Sequence, residues 1–358
     1  MNNLLKFELR KIFAKRVNLL AISFILVLSL ILSFSTLQNM YATDGSGIEG
    51  SGKAAVEIDK QIAKEYAGAL TDEKVQEMMT EFKPSHDLHG MNAKYLYMNA
   101  TQSAVFSRFS DMNGNWNRLS VSDVFGDEEI KIGYTAGWLQ ASQNLAKVFI
   151  ALSFVIILII APVYSGEYGG VDAIILTTKY GKTKCATAKV VASLLCAFFI
   201  TAIVLIMNLL FAVMVYGTEG LSCSILFAHQ DFVEGYIPFN ITCGTVIKYQ
   251  ILLAFLSAMA VTGISLIVSS LCKNQMIAFV IAAALYVLPI LLPISEVSPL
   301  YRVIVLAPLF YSQYISIMSV EQMANGWLYA VWAIPVALII AIIGAVFSRK
   351  KFKVHQVG

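Results

Sequence analysis

The 358-residue sequence predicts an all-α membrane protein with six transmembrane helices, and three observations carry that expectation. Hydrophobic residues make up 58% of the chain and charged residues only 14%, against about 25% charged in a typical soluble domain. Six stretches approach the roughly 20 apolar residues needed to cross a hydrocarbon core of about 30 Å. Lysine and arginine are gathered on one side of these stretches. The formal net charge of +3 is too small to imply a nucleic-acid partner.

The spans are placed at 17–37, 145–163, 190–215, 251–271, 276–292 and 328–347. Each is expected to be helical, because backbone polar groups in lipid must be satisfied within the segment. The first stretch exceeds the roughly 7–15 apolar residues of a signal peptide, and no small-x-small cleavage site follows, so it reads as an uncleaved anchor. Orientation follows from Lys6, Arg10, Lys11, Lys15 and Arg16 before the first span. Lys179, Lys182, Lys184 and Lys189 lie between the second and third, Lys273 between the fourth and fifth, and Arg349, Lys350, Lys351 and Lys353 after the sixth. The short loops of the other side hold only Lys248 and Arg302. Both termini (1–16 and 348–358), with the loop 164–189, are therefore expected in the cytoplasm. Val303–Met318 is also apolar but contains Pro308, and a span there would put the Arg349–Lys353 cluster outside. Residues 293–327 are accordingly expected to be extracellular and to include a re-entrant hairpin.

Residues 38–144 form the one large extracellular domain, with 15 acidic and 9 basic residues, a net of −6. Its start, Thr43–Gly52, reads as a Gly/Ser-rich flexible linker. Val75, Met78, Met79 and Phe82 recur at helical spacing after Thr71 and Asp72, which suit a helix start. Further helix is expected through Tyr95–Phe106, so the domain reads as mainly helical. A second extracellular loop, 216–250, contains Cys223 and Cys243. These two could pair in an oxidising compartment; the alternative is two buried small side chains.

Several motifs fail chemically. Gly47-Ile48-Glu49-Gly50-Ser51-Gly52-Lys53 matches most of a phosphate-binding loop, but Ala54 lacks the hydroxyl that ligates magnesium, and a span precedes it rather than a strand. Gly181-Lys182-Thr183 lacks the earlier glycine, since Leu176 stands there. The chain is thus expected to hold no nucleotide of its own. His86, Asp87 and His89 lie close together, yet no further ligand accompanies them, so no metal is expected. Asn99-Ala100-Thr101 and Asn240-Ile241-Thr242 match the weak glycosylation pattern. The spans contain essentially no ionisable residue, which argues against an intramembrane enzyme or a proton-coupled carrier. Asn208, the main polar exception, is expected to make a helix-packing hydrogen bond.

Two cytoplasmic features remain. Leu5, Leu9, Ile12 and Phe13 form one helical stripe, with Lys6, Glu8, Arg10 and Lys11 mostly off it, which reads as an interfacial amphipathic helix. The loop after the second span runs Ser165-Gly166-Glu167-Tyr168-Gly169-Gly170, then Val171-Asp172-Ala173-Ile174-Ile175-Leu176-Thr177-Thr178, then Lys179-Tyr180-Gly181-Lys182. Asp172 early and the lysines late suit a short helix dipole. Ile174, Ile175 and Leu176 make an apolar patch that needs a partner or the bilayer surface.

In these residues the sequence resembles the permease subunit of a type-2 ABC exporter. Members have an elbow helix, six spans, a coupling helix between spans two and three, and a re-entrant segment before the last. Glu167, Gly170, Leu176, Thr177, Lys182 and Lys189 occupy the places of the family's loop pattern, whose basic position is here Lys179 or Lys182. The likeness covers the membrane portion, about two-thirds of the chain; 38–144 is larger than in compact members. The resemblance implies a non-catalytic pathway of two such subunits, identical or related, driven by a separate cytoplasmic ATPase that binds ATP and Mg. Ile174, Ile175 and Leu176 would anchor on that ATPase, while Glu167, Asp172, Lys179 and Lys182 would pair across the interface. It implies export of an amphipathic compound such as an antimicrobial peptide, an antibiotic or a lipid-like molecule, in a bacterial plasma membrane. The rival readings are a membrane enzyme, a scaffold or insertion factor, and a receptor whose extracellular domain binds ligand without transport.

Overall fold

The computed structural model describes residues 2–44, 47–81, 99–111, 114–168, 170, 177, 181–228, 240–295, 297–313 and 329–354. It opens with α1 (Asn2–Ala14) and α2 (Arg16–Gln38). A unit beyond the far end of α2 follows: β1 (Tyr41–Thr43), β2 (Glu49–Ser51), α3 (Lys53–Glu65), β3 (Gly68–Ala69), α4 (Asp72–Glu81), α5 (Ala100–Phe109), α6 (Val121–Phe125) and β4 (Lys131–Ile132). The apolar portion then runs through α7 (Ala136–Ile160), α8 (Pro162–Ser165), α9 (Ala186–Tyr216), α10 (Ile225–Ala228), α11 (Cys243–Leu271), α12 (Gln275–Leu291), α13 (Tyr301–Ile304) and α14 (Tyr329–Val354).

Among the described residues, five stretches are long and apolar enough to cross a membrane: Arg16–Gln38, Ala136–Ser165, Gly181–Tyr216, Cys243–Leu271 and Val331–Val354. The sixth expected span corresponds to α12, whose 17 residues are interrupted by Pro289. At 1.5 Å per residue that is about 26 Å, short of a typical core. Most helices also run past the apolar windows, because flanking polar residues keep helical hydrogen bonding where hydropathy has already fallen. Residues 301–313 form α13 and a 3-10 turn, Pro308–Gln313, in which Phe310 and Tyr311 are buried.

Burial decides which helices are central. The apolar windows of α11 and the α7–α8 stretch are 67% and 61% buried, those of α2 and α14 only 22% and 28%. Phe24 and Ile31 of α2, and Ile339 and Ile342 of α14, face outward, as lipid-facing residues would. Among the described residues, α11 and α14 meet backbone to backbone. A Cβ on Gly344 would lie 2.4 Å from the Gly263 Cα, and one on Gly263 would lie 2.8 Å from the Ile340 carbonyl oxygen. Ala333, Ala337 and Ala341 continue this face of α14, all buried. Small residues three or four positions apart let the backbones touch, which substitutes for the hydrophobic drive that lipid does not supply.

Buried polar side chains tie the remaining helices. Gln250 on α11 donates to the carbonyls of Ser142 (2.8 Å) and Ser312 (3.1 Å) and accepts from the Ser142 hydroxyl (2.9 Å). Ser257 donates to the Pro308 carbonyl at 2.9 Å. Asn208 accepts from Ser33 of α2 at 3.3 Å, the cross-helix bond expected of it, while its amide donates to Val204 O. The bonds from Gln250 and Ser257 hold 308–313 against α11, so its irregular backbone sits on protein.

The 38–144 unit has its own apolar clusters. Val75, Met78 and Met79 of α4 meet Phe106 and Phe109 of α5 and Ile130, as the helical spacing anticipates; Phe82 and residues 95–98 lie outside the described residues. The expected linker at Thr43–Gly52 instead has Thr43 and Glu49–Ser51 in an antiparallel ribbon, Tyr41 opposite Ser51 and Thr43 opposite Glu49. Ala42 is fully buried against Ala55, Ile58 and Ile62, and that burial outweighs the local Gly/Ser composition. Gly52, at φ +62°, turns the ribbon into α3. Asp59 on α3, 5% exposed, accepts from the Ala100 N–H at 3.0 Å and so begins α5.

Two predictions follow from this packing. Gly344→Leu forces a side chain into the α11 backbone and lowers stability in detergent by about 1–3 kcal/mol. Gly170→Ala, whose Cβ would meet no atom within 4 Å, leaves the unfolding midpoint unchanged in the same thermal assay. The second concerns pH. Desolvation raises the Asp59 carboxyl from an ordinary 3.8 to about 6, against the lowering effect of the Ala100 N–H. Its folded pKa lies above its unfolded one, so its contribution is complete below pH 3.8 and is lost as pH rises through about 6. Asp59→Asn keeps the acceptor and removes the charge; relative to the parent it gains about 2–3 kcal/mol above pH 7 and nothing below pH 4. Thermal unfolding of both proteins across that range measures the difference.

Candidate functional site

The segment that begins the 164–189 loop is held from four directions. Pro162 starts α8 directly after α7 and, lacking an N–H, interrupts the ladder there. Ser269 of α11 spans the break: its hydroxyl donates to Ala161 O at 2.6 Å and accepts from the backbone N–H of Tyr164 (2.9 Å) and Ser165 (3.2 Å). Tyr168 donates to Ser270 O at 3.0 Å. Phe352, near the end of α14, is fully buried with its ring 5.0 Å from that of Tyr164 and 6.3 Å from that of Tyr168. Gly166 fits only without a side chain, because a Cβ would lie 2.6 Å from Pro162 O.

The fourth hold is electrostatic. Leu5, Leu9, Ile12 and Phe13 of α1 pack against the membrane core, with Ile12 inside it. Glu8 lies three residues after Leu5 and four before Ile12, so the helix carries it to the same face. It is 5% exposed, which corrects its expected place off the stripe. Lys189, in the first turns of α9, is 1% exposed, and Glu167 is 3% exposed. The Lys189 ammonium donates to Glu8 Oε1 (3.1 Å) and Oε2 (3.2 Å) and to Glu167 Oε1 (2.5 Å). Lys11, half-buried on α1, pairs with the same Glu167 oxygen. The Cys185 thiol donates to Glu8 at 3.7 Å. Two carboxylates and two ammonium groups therefore form a neutral cluster at the head of an apolar helix. Just outside it, burial and then repulsion from Lys11 hold Lys15 below the usual lysine range.

Glu167 stands just before the loop and Lys189 just after it, so α1 clasps both of its roots. The Glu167 carboxylate points inward to Lys189 and Lys11. At 3% exposed, it is not on the surface where an interface partner would meet it. Gly170, Thr177 and Lys182 are exposed. Asp172, Ile174, Ile175, Leu176 and Lys179 lie outside the described residues, as do His86, Asp87 and His89. Charge counting missed the ties to Glu8 and Lys11, and it treated Lys189 as a loop charge although helix already surrounds it. The available signal was Glu8 itself, the single acidic residue in 1–16, at i+3 and i−4 from the apolar stripe.

Cys223 and Cys243 face one another across a short backbone pairing in which Cys243 N–H donates to Cys223 O at 3.0 Å. Both are buried and both carry free thiols in this structure. Compared with family models, curated proteins and solved structures, the chain matches none.

A buried ion pair broken on one side leaves a charge without compensation, at a cost of about 3–5 kcal/mol. Lys189→Met therefore sharply lowers the unfolding midpoint in detergent, whereas Glu8→Gln combined with Glu167→Gln and Lys189→Met recovers much of the loss. A single Lys189→Met variant as stable as the parent would contradict the cluster.

Proposed function

We propose that this chain is the membrane-spanning permease subunit of an ATP-driven exporter whose ATPase is a separate cytoplasmic protein. In this reading two such subunits, identical or related, form the pathway; α1 is the elbow helix, both termini are cytoplasmic, α12 completes a six-span set, and residues 297–313 begin a re-entrant segment. The observation that supports it is the clasp of α1 on both roots of the 164–189 loop through Glu8, Glu167, Lys11 and Lys189. A loop that transmits force needs roots that do not yield, and buried charge pairs yield only by exposing an uncompensated charge.

ATP and Mg belong to the partner, whose closure pushes on the loop. Ile174, Ile175 and Leu176 supply the apolar contact and Asp172, Lys179 and Lys182 the charged edges. Glu167 serves a different purpose here: it passes the load inward to Lys189 and α1. Cargo is amphipathic, in keeping with the predominantly apolar helices.

The test is affinity purification of the tagged chain from its own cells in mild detergent. An ATPase subunit co-elutes with the parent protein and is lost when Ile174, Ile175 and Leu176 are each replaced by Asp, while the variant still inserts and folds. A folded parent protein that elutes alone and stimulates no ATPase defeats the reading.

A further inference from the structure

The 38–144 unit carries a net charge of −6, yet together with Glu219, Ser222 and Cys223 it lines an open cavity of about 450 Å³ whose lining charges have the opposite balance. Lys60 and Lys64 of α3, Lys131 of β4 and Glu219 are its charged residues. Three cations against one anion make it a positive pocket in an acidic surface. Lys60 is already engaged: its ammonium donates to Val215 O at 3.0 Å and lies 5.8 Å from the centre of the Tyr134 ring. Lys64 and Lys131 are exposed and form no ion pair among the described residues. Two ammonium groups are thus left to face an incoming ligand, with Lys60 adding to the local potential.

The rest of the lining is mainly apolar, with Ala63, Ala67, Ile132, Tyr134 and Cys223 prominent. The volume falls within the range of about 300–1,000 Å³ typical of small-ligand sites. Its position is also informative. Tyr134 precedes α7 by two residues, and Val215, which accepts from Lys60, is in the last turn of α9. Glu219, Ser222 and Cys223 belong to the turn that follows. The cavity therefore opens beside the ends of two candidate spans, Ala136–Ser165 and Gly181–Tyr216. Apolar walls with ammonium groups there match a molecule that is apolar along its body and anionic at its end.

We propose that this cavity binds an anionic amphiphile, a single acyl or alkyl chain ending in a phosphate or carboxylate, with Lys64 and Lys131 holding the anion. The site is independent of the export reading, since it involves neither the 164–189 loop nor an ATPase.

The test uses the full chain in phosphatidylcholine nanodiscs and radiolabelled dodecyl phosphate as probe. One saturable site is expected, weakened at least tenfold by the pair Lys64→Gln and Lys131→Gln and by raised salt. Lys53→Gln, on an exposed lysine elsewhere on α3, leaves it unchanged. Inorganic phosphate and dodecyltrimethylammonium are expected to compete at least a hundredfold more weakly. Discs containing phosphatidylglycerol separate the two sources of such a ligand. Loss of probe binding there assigns the site to a bilayer lipid, and retention assigns it to a free amphiphile. Undiminished binding by the double lysine variant, in protein of unchanged unfolding midpoint, overturns the proposal. So does equal competition by the cationic amphiphile or by phosphate alone, or the absence of a saturable site.

Discussion

An ammonium group that is 1% exposed at the start of an apolar helix has two physical options: lose its proton or find anions within the protein. Lys189 finds two, and the rest of the architecture at this end of the spans is arranged around that requirement. Glu8 must be delivered by a helix lying across the ends of the spans, which is the position of α1. Glu167 must be delivered by a turn directly after α8, which places Ser269 and Phe352 against that turn. Lys11 then balances the second carboxylate. Remove the lysine and the carboxylates of α1 and of the turn lose the cation that lies between them.

Elsewhere the membrane portion relies on two cheaper devices. One is side-chain hydrogen bonding to carbonyls that a break or a turn leaves without partners, as Ser257, Ser269 and Gln250 do. The other is backbone contact at glycine and alanine. Both suit a solvent that offers neither hydrogen bonds nor a hydrophobic drive. The 38–144 unit, by contrast, is built on soluble rules, with aromatic and methionine side chains meeting between α4 and α5. It is joined to the spans through Tyr134, Trp138 and Tyr216.

What could be read from the sequence follows from these differences. The apolar spans were legible because hydropathy is a local sum and needs no partner. The stripe on α1 and the start of α4 were legible because periodicity and capping are local too. Three features were not. The ribbon at Tyr41–Ser51 depends on burial of Ala42 against α3, a contact that composition at Thr43–Gly52 does not encode. The pairing of Glu8 with Lys189 links residues 181 positions apart. The cavity beside α3 brings together Lys60, Lys131 and Glu219 from three separate stretches. The spacing of Ala333, Ala337, Ala341 and Gly344 was visible in principle, but its meaning required Gly263 opposite it.

The glycine contact between α11 and α14 bears on how this molecule can move. Where two helices meet through bare backbone, there is no layer of side chains to shear, and neither can turn about its own axis without collision. The two helices behave as a single beam. Phe352 sits at one end of that beam, against the tyrosines that root the loop, and Tyr329, donating to the Val305 carbonyl at 2.7 Å, sits at the other. Between the two ends lies Pro335, which leaves one helical bond of α14 unmade, so a displacement imposed at the first end reaches the α11 contact before it meets that break.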